Sequence, residues 1–212
     1  MWHKVSPISF RIPLIKTWKS SWYADKKGYK ASVQSDIKIR DFLNEELNWM
    51  LVGDIKIYRT TDNKFIVDVF TAKPAMVNGE NGENLTALVN KLTKKFKYDF
   101  SVNVKEIKTP ETNAVLVADN IARQIEKRMP YKRVIKQAIQ RATEKGAKWV
   151  KVIVWGRLNG VDIARRETFK EGNIPTQTIR ADIDYTTERS ETVYGTIGVK
   201  VWIYKGQVFK RK

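Results

Sequence analysis

Two glycines, Gly79 and Gly82, enclose Glu80 and Asn81 at the joint between a β-rich run and a helical pattern. A residue without Cβ adopts a positive φ easily and lets another backbone approach closely, so this spacing suits a turn that holds a sugar–phosphate backbone. A helix that begins near Gly82 also points free N–H groups at an anion bound there. On its own, however, the pattern is more typical of an ordinary tight turn.

The densest group of cations lies between residues 123 and 148. Two acids, Glu126 and Glu144, stand among its basic residues, which are Arg123, Lys127, Arg128, Lys132, Arg133, Lys136, Arg141, Lys145 and Lys148. Lys132, Arg133 and Lys136 are spaced three and four residues apart, so they project from one flank of a predicted helix. Such a cluster can contact the phosphates of a single strand whatever its sequence. A solvated helix face is the alternative, but the scarcity of acids on this flank favours nucleic acid.

A second group of arginines surrounds a glycine-rich turn, Gly156-Arg157-Leu158-Asn159-Gly160. Its members are Arg157, Arg165, Arg166 and Arg180. Guanidinium groups beside such a turn suit bidentate contacts with phosphate. Cross-strand pairing is the alternative, and the sequence leaves both interpretations open. The acids available for that pairing are Glu167, Asp182 and Asp184.

Residue types suited to catalysis are scarce. The chain has no cysteine and a single histidine, His3, so thiolate chemistry, disulfides and a histidine-based acid–base or metal centre find little support. Asp182 and Asp184 share a strand face, but without a histidine or nucleophile motif we expect them to form salt bridges. We therefore expect no enzymatic activity, no metal, no cofactor and no small-molecule substrate.

The charge of the chain indicates its kind of partner. The net charge is +17, from 40 Lys and Arg against 23 Asp and Glu, and both halves of the chain are basic. A field of this sign predicts a polyanionic partner, either nucleic acid or an anionic membrane surface. No run approaches the roughly 18 apolar residues of a membrane span. The N-terminus lacks an apolar signal core, so we expect a soluble intracellular protein with no membrane partner.

The elements predicted around Gly79 and Gly82 place that turn at a defined joint. They are a helix over 36–51, strands over 54–60 and 64–71 joined by a hairpin turn at 61–63, an amphipathic helix from 85 to 96, and a strand over 99–107. The order helix, strand, strand, GxxG turn, helix, strand is that of a KH domain of the prokaryotic type (type II). In that module the GxxG loop clamps about four nucleotides. The position of the turn in this order favours RNA binding over an ordinary turn.

A break at Lys108-Thr109-Pro110 predicts the boundary of a second domain. Two apolar stripes indicate two helices, the first capped by Thr112 or Asn113 and ended by Pro130, the second closed by Gly146. Strands are predicted at 149–155, 161–169, 178–185 and 193–204, with a turn at Thr186-Thr187.

These elements define an α+β fold class with two domains. An N-terminal arm covers residues 1–16, and the KH domain covers 17–107. Residues 108–212 form a second α+β domain, in which two helices pack on a four-stranded, mostly antiparallel sheet.

Motifs along nearly the whole chain resemble those of bacterial-type ribosomal protein S-three, a family of the small ribosomal subunit. They are Lys4-Val5-Ser6-Pro7 with Phe10-Arg11, Gly156-Arg157-Leu158-Asn159-Gly160 with Ile163-Ala164-Arg165, Arg180-Ala181-Asp182-Ile183-Asp184-Tyr185, and Gly198-Val199-Lys200-Val201-Trp202-Ile203-Tyr204-Lys205-Gly206. The two motifs nearest the C-terminus are highly specific.

The resemblance implies a structural protein of the ribosomal head. Such a protein binds the 3′ head domain of small-subunit ribosomal RNA and neighbours ribosomal proteins S-ten and S-fourteen. By the same resemblance Lys132, Arg133 and Lys136 line the tunnel through which messenger RNA enters, and they assist its passive unwinding. Candidate contacts with ribosomal RNA are Lys4, Arg11, Arg128, Arg157, Arg165, Arg166 and Arg180. The expected location is the cytoplasmic ribosome, and the sequence leaves an organellar ribosome open.

The chain departs from the family pattern at the GxxG turn. Family members commonly carry lysines between the glycines, whereas this chain has Glu80 and Asn81. Because a carboxylate repels phosphate, we expect the turn from Gly79 to Gly82 to hold RNA weakly. Lys132 stands where arginine is usual, which keeps the charge but loses bidentate geometry. The alternative function is a free KH-domain regulator of messenger RNA, which would not sediment with small subunits.

Overall fold

The computed structural model describes residues 5–60, 64–79 and 82–209. These residues divide into two units, of which the first is Trp18–Lys108 and the second joins residues 5–17 to residues 109–209. Residues 5–16, which the sequence set apart as an arm, therefore cluster with the C-terminal unit, and so does Thr17, which the sequence assigned to the KH domain. No helix in the described ranges is long and apolar enough to cross a membrane.

The first unit is a sheet of four described strands with helices on one face. Its strands are β1 (Ser20–Ser21), β2 (Val52–Arg59), β3 (Lys64–Thr71) and β4 (Asp99–Glu106), in the order β1-β2-β3-β4. The pair β2–β3 is antiparallel, while β1–β2 and β3–β4 are parallel. Its helices are α1 (Tyr29–Glu46), α2 (Pro74–Asn78) and α3 (Glu83–Phe96).

Alternation along the strands builds the core of this unit. Ile57 on β2 and Val67 on β3 lie opposite each other and are fully buried. Leu43 of α1 and Leu92 of α3 pack in the same core. Successive strand residues point to opposite faces, so one face of the sheet is apolar and helix-covered. The predicted KH fold is confirmed.

Three details of the first unit differ from the sequence prediction or fall outside it. Helix α1 spans Tyr29–Glu46 instead of 36–51, because Leu51 has a φ of 50° and the helix closes with the N–H of Leu47 on the C=O of Leu43. Its first turns lack an apolar stripe, so periodicity did not reveal them. Helix α2 has only five residues, too few for a periodic signal. The predicted hairpin turn at 61–63 lies outside the described residues.

The second unit carries two helices on one face of an antiparallel sheet. Its strands are β5 (Trp149–Gly156), β6 (Arg165–Glu171), β7 (Ala181–Thr192) and β8 (Gly195–Gln207), in the order β6-β5-β8-β7. All three pairings are antiparallel. Its helices are α4 (Ala114–Glu126) and α5 (Tyr131–Glu144), whose apolar stripes pack against residues of β5 and β8. The predicted α+β architecture is confirmed.

The helix ends of the second unit agree with the sequence prediction, and its strand ends differ. Asn113 Oδ1 accepts the N–H of Val115 at 2.9 Å, and Gly146 follows α5 with a φ of 94°. The predicted turn at Thr186-Thr187 is wrong, because both residues lie inside β7, where β-branched side chains are favoured. Strand β6 begins at Arg165 instead of residue 161, because the chain bends at residues 162 and 163 after a 3₁₀ turn at Leu158–Gly160.

Candidate nucleic-acid interface

Three cations stand on the outer side of α5. Lys132, Arg133 and Lys136 are exposed, whereas the neighbouring Val134 and Ile135 are buried. None of the three cations forms an ion pair with a carboxylate within the described residues. Their charge is therefore uncompensated locally and can meet phosphate oxygens.

A buried tyrosine fixes the start of this helix. Tyr131, the first residue of α5, is 2% exposed, and its hydroxyl donates to Glu167 Oε1 at 2.9 Å. Arg165 Nη2 donates to the same hydroxyl at 3.2 Å, and Arg165 Nε lies 3.2 Å from Glu167 Oε1. These contacts join α5 to strand β6. Sequence reasoning missed Tyr131 as a positioning residue, since a tyrosine after Pro130 has no distinctive spacing.

An open groove of about 430 Å³ continues from the α5 cations toward strand β6. Lys136 and Ile139 line its helical side, while Phe169 and Lys170 line its strand side. Lys136 and Lys170 therefore place positive charge on both walls. Glu171 also lines the groove and reduces that charge at one end.

The GxxG turn has the backbone that glycine permits. Gly79 and Gly82 have φ values of 71° and 81°, in the left-handed region. A Cβ on Gly79 would lie 2.8 Å from the side chain of Asn84. Gly82 precedes α3, and the exposed Glu83 puts a carboxylate in the first turn of that helix, where it opposes an anionic ligand. Glu80 and Asn81 lie outside the described residues.

Two of the predicted arginines are engaged within the protein. Arg157 Nε donates to Val161 O at 2.9 Å and its Nη2 donates to Asp162 Oδ1 at 2.9 Å, so it holds the glycine-rich turn in shape. Arg165 pairs with Glu167, one of the acids that the sequence offered, but both residues lie on β6, so the pair is within one strand and not cross-strand. About half of the Arg165 side chain remains exposed, at 49%.

The remaining candidates are distributed over the surface. Arg166 on β6 and Arg128 after α4 are exposed. Arg180 is exposed as well, and its guanidinium lies 5.5 Å from the ring centroid of Phe209. Lys4 lies outside the described residues. Of the candidate arginines in the described part of the second unit, Arg165 bonds directly to the start of α5 through the hydroxyl of Tyr131.

The structure corrects the assignment of Arg11 as an RNA contact. Its side chain is fully buried, at 0% exposure. Nε donates to Ala181 O at 2.6 Å, Nη1 to Pro7 O at 2.9 Å, and Nη2 to Thr176 O and Thr178 O at 2.9 and 3.0 Å. Burial lowers the pKa of Arg11, and the charge of Asp182 opposes that shift. A guanidinium bound to four carbonyls inside the fold cannot reach a phosphate, so Arg11 is a structural residue.

The two aspartates on β7 form lysine pairs, as expected. Asp182 lies 2.9 Å from Lys16 Nζ, and Asp184 lies 3.6 Å from Lys205 Nζ. Asp184 also accepts the N–H of Ala114 at the start of α4. Among the described residues no three His, Cys, Asp or Glu side chains gather as metal ligands would.

The fold and its basic surfaces define a class of protein, namely an RNA-binding protein in which a KH domain is joined to a basic α+β unit. A KH domain family model matches residues 38–112, and the model for the C-terminal domain of ribosomal protein S3 matches residues 121–203.

Curated relatives give the same assignment over nearly the full chain. Small ribosomal subunit protein uS3 of Streptococcus pyogenes serotype M5 (strain Manfredo) is 49% identical over 208 residues, which cover 98% of this chain and 95% of the relative. The corresponding protein of Streptococcus agalactiae serotype III (strain NEM316) gives the same values. The chain belongs to the ribosomal protein S3 family, whose members are structural RNA-binding proteins and not enzymes.

Proposed function

We propose that this chain is a structural constituent of the head of the small ribosomal subunit. It binds the 3′ head domain of the ribosomal RNA and neighbours ribosomal proteins S-ten and S-fourteen. Its membership of the S3 family and its net charge of +17 support this role. Like the bacterial members of the family, it works in the cytoplasmic ribosome.

The α5 cations line the tunnel through which messenger RNA enters. The single observation that carries this proposal is the exposed row of Lys132, Arg133 and Lys136, none of which pairs with a described carboxylate. Three cations on a fixed helix face hold the phosphates of one strand in register. The anchor at Tyr131 supports this, because it prevents the first turn of α5 from shifting.

Unwinding by such a surface is passive. The cations trap strands that open thermally, and translocation by the ribosome supplies the direction. Binding to phosphate is independent of base sequence, so every messenger receives the same assistance. This mechanism needs no nucleotide hydrolysis, in agreement with the non-enzymatic character of the family.

Ribosomal RNA contacts come from the exposed arginines. Arg128, Arg166 and Arg180 are exposed, and Arg165 presents part of its guanidinium. Arg157 contributes mainly by shaping its turn. The turn from Gly79 to Gly82 binds RNA weakly, since Glu83 adds a second carboxylate beside Glu80.

A translation assay on two messengers, which differ only in a stable hairpin downstream of the start site, tests the tunnel role. Subunits reconstituted with Lys132→Ala/Arg133→Ala/Lys136→Ala should elongate more slowly through the hairpin than wild type. On the unstructured messenger the two kinds of subunit should elongate at similar rates.

The matched control removes an equal charge near the other end of the same helix. Arg141→Ala/Lys145→Ala/Lys148→Ala changes three exposed cations at the C-terminal end of α5 and just beyond it. This control should slow neither messenger. Equal slowing of both messengers by the first variant, or equal effects of the two variants, refutes the tunnel role.

A further inference from the structure

The face of the C-terminal sheet opposite α4 and α5 presents an ordered array of side chains. The strand registers place twelve positions on this face in three rows across β6, β5, β8 and β7. The rows are Arg166-Trp155-Gly198-Arg189, Thr168-Ile153-Lys200-Thr187 and Lys170-Lys151-Trp202-Tyr185. Rows two residues apart are separated by about 7 Å along a strand, so the array is about 14 Å long. We call this set of twelve residues the open sheet face.

The open sheet face carries positive charge only. Among its twelve positions five are basic and none is acidic, and the basic ones are Lys151, Arg166, Lys170, Arg189 and Lys200. The nearest carboxylate on this side of the β7–β8 hairpin is Glu191, one row beyond Arg189. Such a field attracts a polyanion.

Three acids of these strands are turned toward the helices. Glu167 accepts from the hydroxyl of Tyr131 on α5, and Asp184 accepts the N–H of Ala114 on α4. Glu171 accepts from Thr143 on α5. Because neighbouring strand residues point to opposite faces, these contacts place the carboxylates away from the open sheet face.

Aromatic rings lie among the cations. Trp155 is 64% exposed, and its neighbour on β8 is Gly198, which has no side chain to cover it. In the third row the rings of Trp202 and Tyr185 lie 4.9 Å apart, and Lys151 Nζ lies 5.4 Å from the Trp202 ring. Trp155 is thus the exposed ring of this face, whereas Trp202 and Tyr185 are half-buried. Accessible rings among cations on a sheet are the combination on which unpaired bases stack while basic side chains hold the phosphates.

We propose that the open sheet face binds a short single-stranded segment of RNA. Unpaired bases stack on Trp155 and on the Trp202–Tyr185 pair, and the five cations contact the phosphates between them. The array ends beyond the third row, where Tyr204 and Ile183 are buried in a cluster with Ile174. A docked protein would have to desolvate five cations, whereas RNA supplies a phosphate for each.

The part of this site around Trp155 is separate from the α5 cations, while Lys170 on the edge strand β6 borders both the open sheet face and the groove beside Lys136. Helix α5 packs on the other face of the sheet, so Lys132, Arg133 and Lys136 do not share a surface with Trp155. The proposal therefore does not depend on the tunnel role, and either can fail without the other.

Binding of the full chain to a labelled oligouridine strand of about 12 nucleotides, compared with a duplex RNA of the same length, tests the proposal. Trp155→Ala should weaken binding of the single strand by at least about fivefold, because it removes the ring on which one base stacks. It should leave the affinity for duplex RNA unchanged. Duplex bases are already stacked on each other and gain nothing from Trp155. Fluorescence anisotropy at fixed salt measures both affinities.

The matched control is Trp49→Ala in the other unit, where the tryptophan is 74% exposed. It should bind both RNAs as wild type does. The Trp155→Ala effect should also persist in the Lys132→Ala/Arg133→Ala/Lys136→Ala chain. Circular dichroism should show the wild-type fold for every variant.

Equal single-strand affinity for Trp155→Ala and Trp49→Ala overturns the proposal. So does a Trp155→Ala chain that keeps its RNA affinity but no longer associates with a neighbouring ribosomal protein. That result would make the open sheet face a protein-docking surface.

Discussion

The hydroxyl of Tyr131 donates a 2.9 Å hydrogen bond to Glu167 Oε1, and this bond joins the first residue of α5 to strand β6. Tyr131 is buried, and the next two residues, Lys132 and Arg133, are exposed. One buried side chain thus sets the position of the cations that follow it. The proposed tunnel surface depends on this anchor as well as on its charges.

Tyr131→Phe should lower the free energy of unfolding by about 1 kcal/mol, the usual net value of one hydrogen bond. The ring remains, and Glu167 keeps its pairing with Arg165, so no larger loss is expected. Urea unfolding measures the change. Tyr23→Phe is the control, because Tyr23 is 88% exposed and should change stability little. A loss in Tyr131→Phe no greater than that in Tyr23→Phe would show that the anchor is unimportant.

Replacing Arg11 should destabilise the second unit strongly. Arg11→Ala removes the guanidinium donor from four carbonyls, of which Ala181 O and Pro7 O accept buried hydrogen bonds, and we expect a loss of about 3 kcal/mol or more. Arg11→Lys should rescue little, since one ammonium cannot reproduce the planar fork of donors. Thermal unfolding measures both variants, with the exposed Arg166→Ala as control. If Arg11→Ala melts at the wild-type temperature, the hydrogen bonds of Arg11 to these four carbonyls do not stabilise the second unit.

Asp68 on β3 should make the free energy of unfolding depend on pH in the acid range. Burial by itself raises the pKa of Asp68, but hydrogen bonds from Lys105 and Asn103, with the charges of Lys105 and Lys56, outweigh it and the pKa lies below its ordinary value. The pKa of Asp68 is lower in the folded protein than its value of about 4 in the unfolded chain, so the ionised carboxylate stabilises the fold at any pH above about 4. This stabilisation is lost as the pH falls from about 4 toward the pKa of the folded state.

Asp68→Asn should therefore cost about 1–3 kcal/mol at neutral pH, and the difference from wild type should shrink below about pH 4. Denaturant unfolding between neutral and acid pH measures this. Asp162→Asn is the control, because that side chain is 99% exposed. A difference between Asp68→Asn and wild type that does not change with pH would exclude the stabilising role of the ionised carboxylate.

Glu80→Lys should raise the affinity of the chain for single-stranded RNA. The substitution removes a repulsion and adds an attraction beside the start of α3, where the helix dipole favours anions. Asn81→Asp, the control of opposite sign, should weaken binding or leave it unchanged. Both substitutions are made in the Lys132→Ala/Arg133→Ala/Lys136→Ala chain, the parent, because it lacks the α5 cations that would also bind the RNA. If Glu80→Lys and its parent have the same affinity for the RNA, the GxxG turn does not bind RNA.

Local patterns in the sequence predicted most of the fold. The apolar alternation at Ile55 and Ile57 identified β2, and the candidate caps Thr112 and Asn113 placed the start of α4, where the structure has Asn113 as the cap. These signals lie within a few residues of the structure that they predict. Helix α2 was missed because Pro74–Asn78 is too short to show a period.

The candidate site was less predictable, because its contacts join distant parts of the chain. Arg11 looked like a surface cation, but its acceptors lie up to 170 residues away and bury it. Tyr131 and Glu167 are 36 residues apart, and no local spacing connects them. Exposure of Lys132, Arg133 and Lys136 followed from helical periodicity, and the structure agrees with it.

Sedimentation of the tagged chain in its own cells tests the central claim most directly. Lysate is fractionated on a sucrose gradient after a high-salt wash that removes loosely bound RNA-binding proteins. The account predicts that the chain remains with the small subunit in about equal amount to its other core proteins. Release of the chain to the top of the gradient, while those core proteins stay bound, would contradict the account and favour a free regulator of messenger RNA.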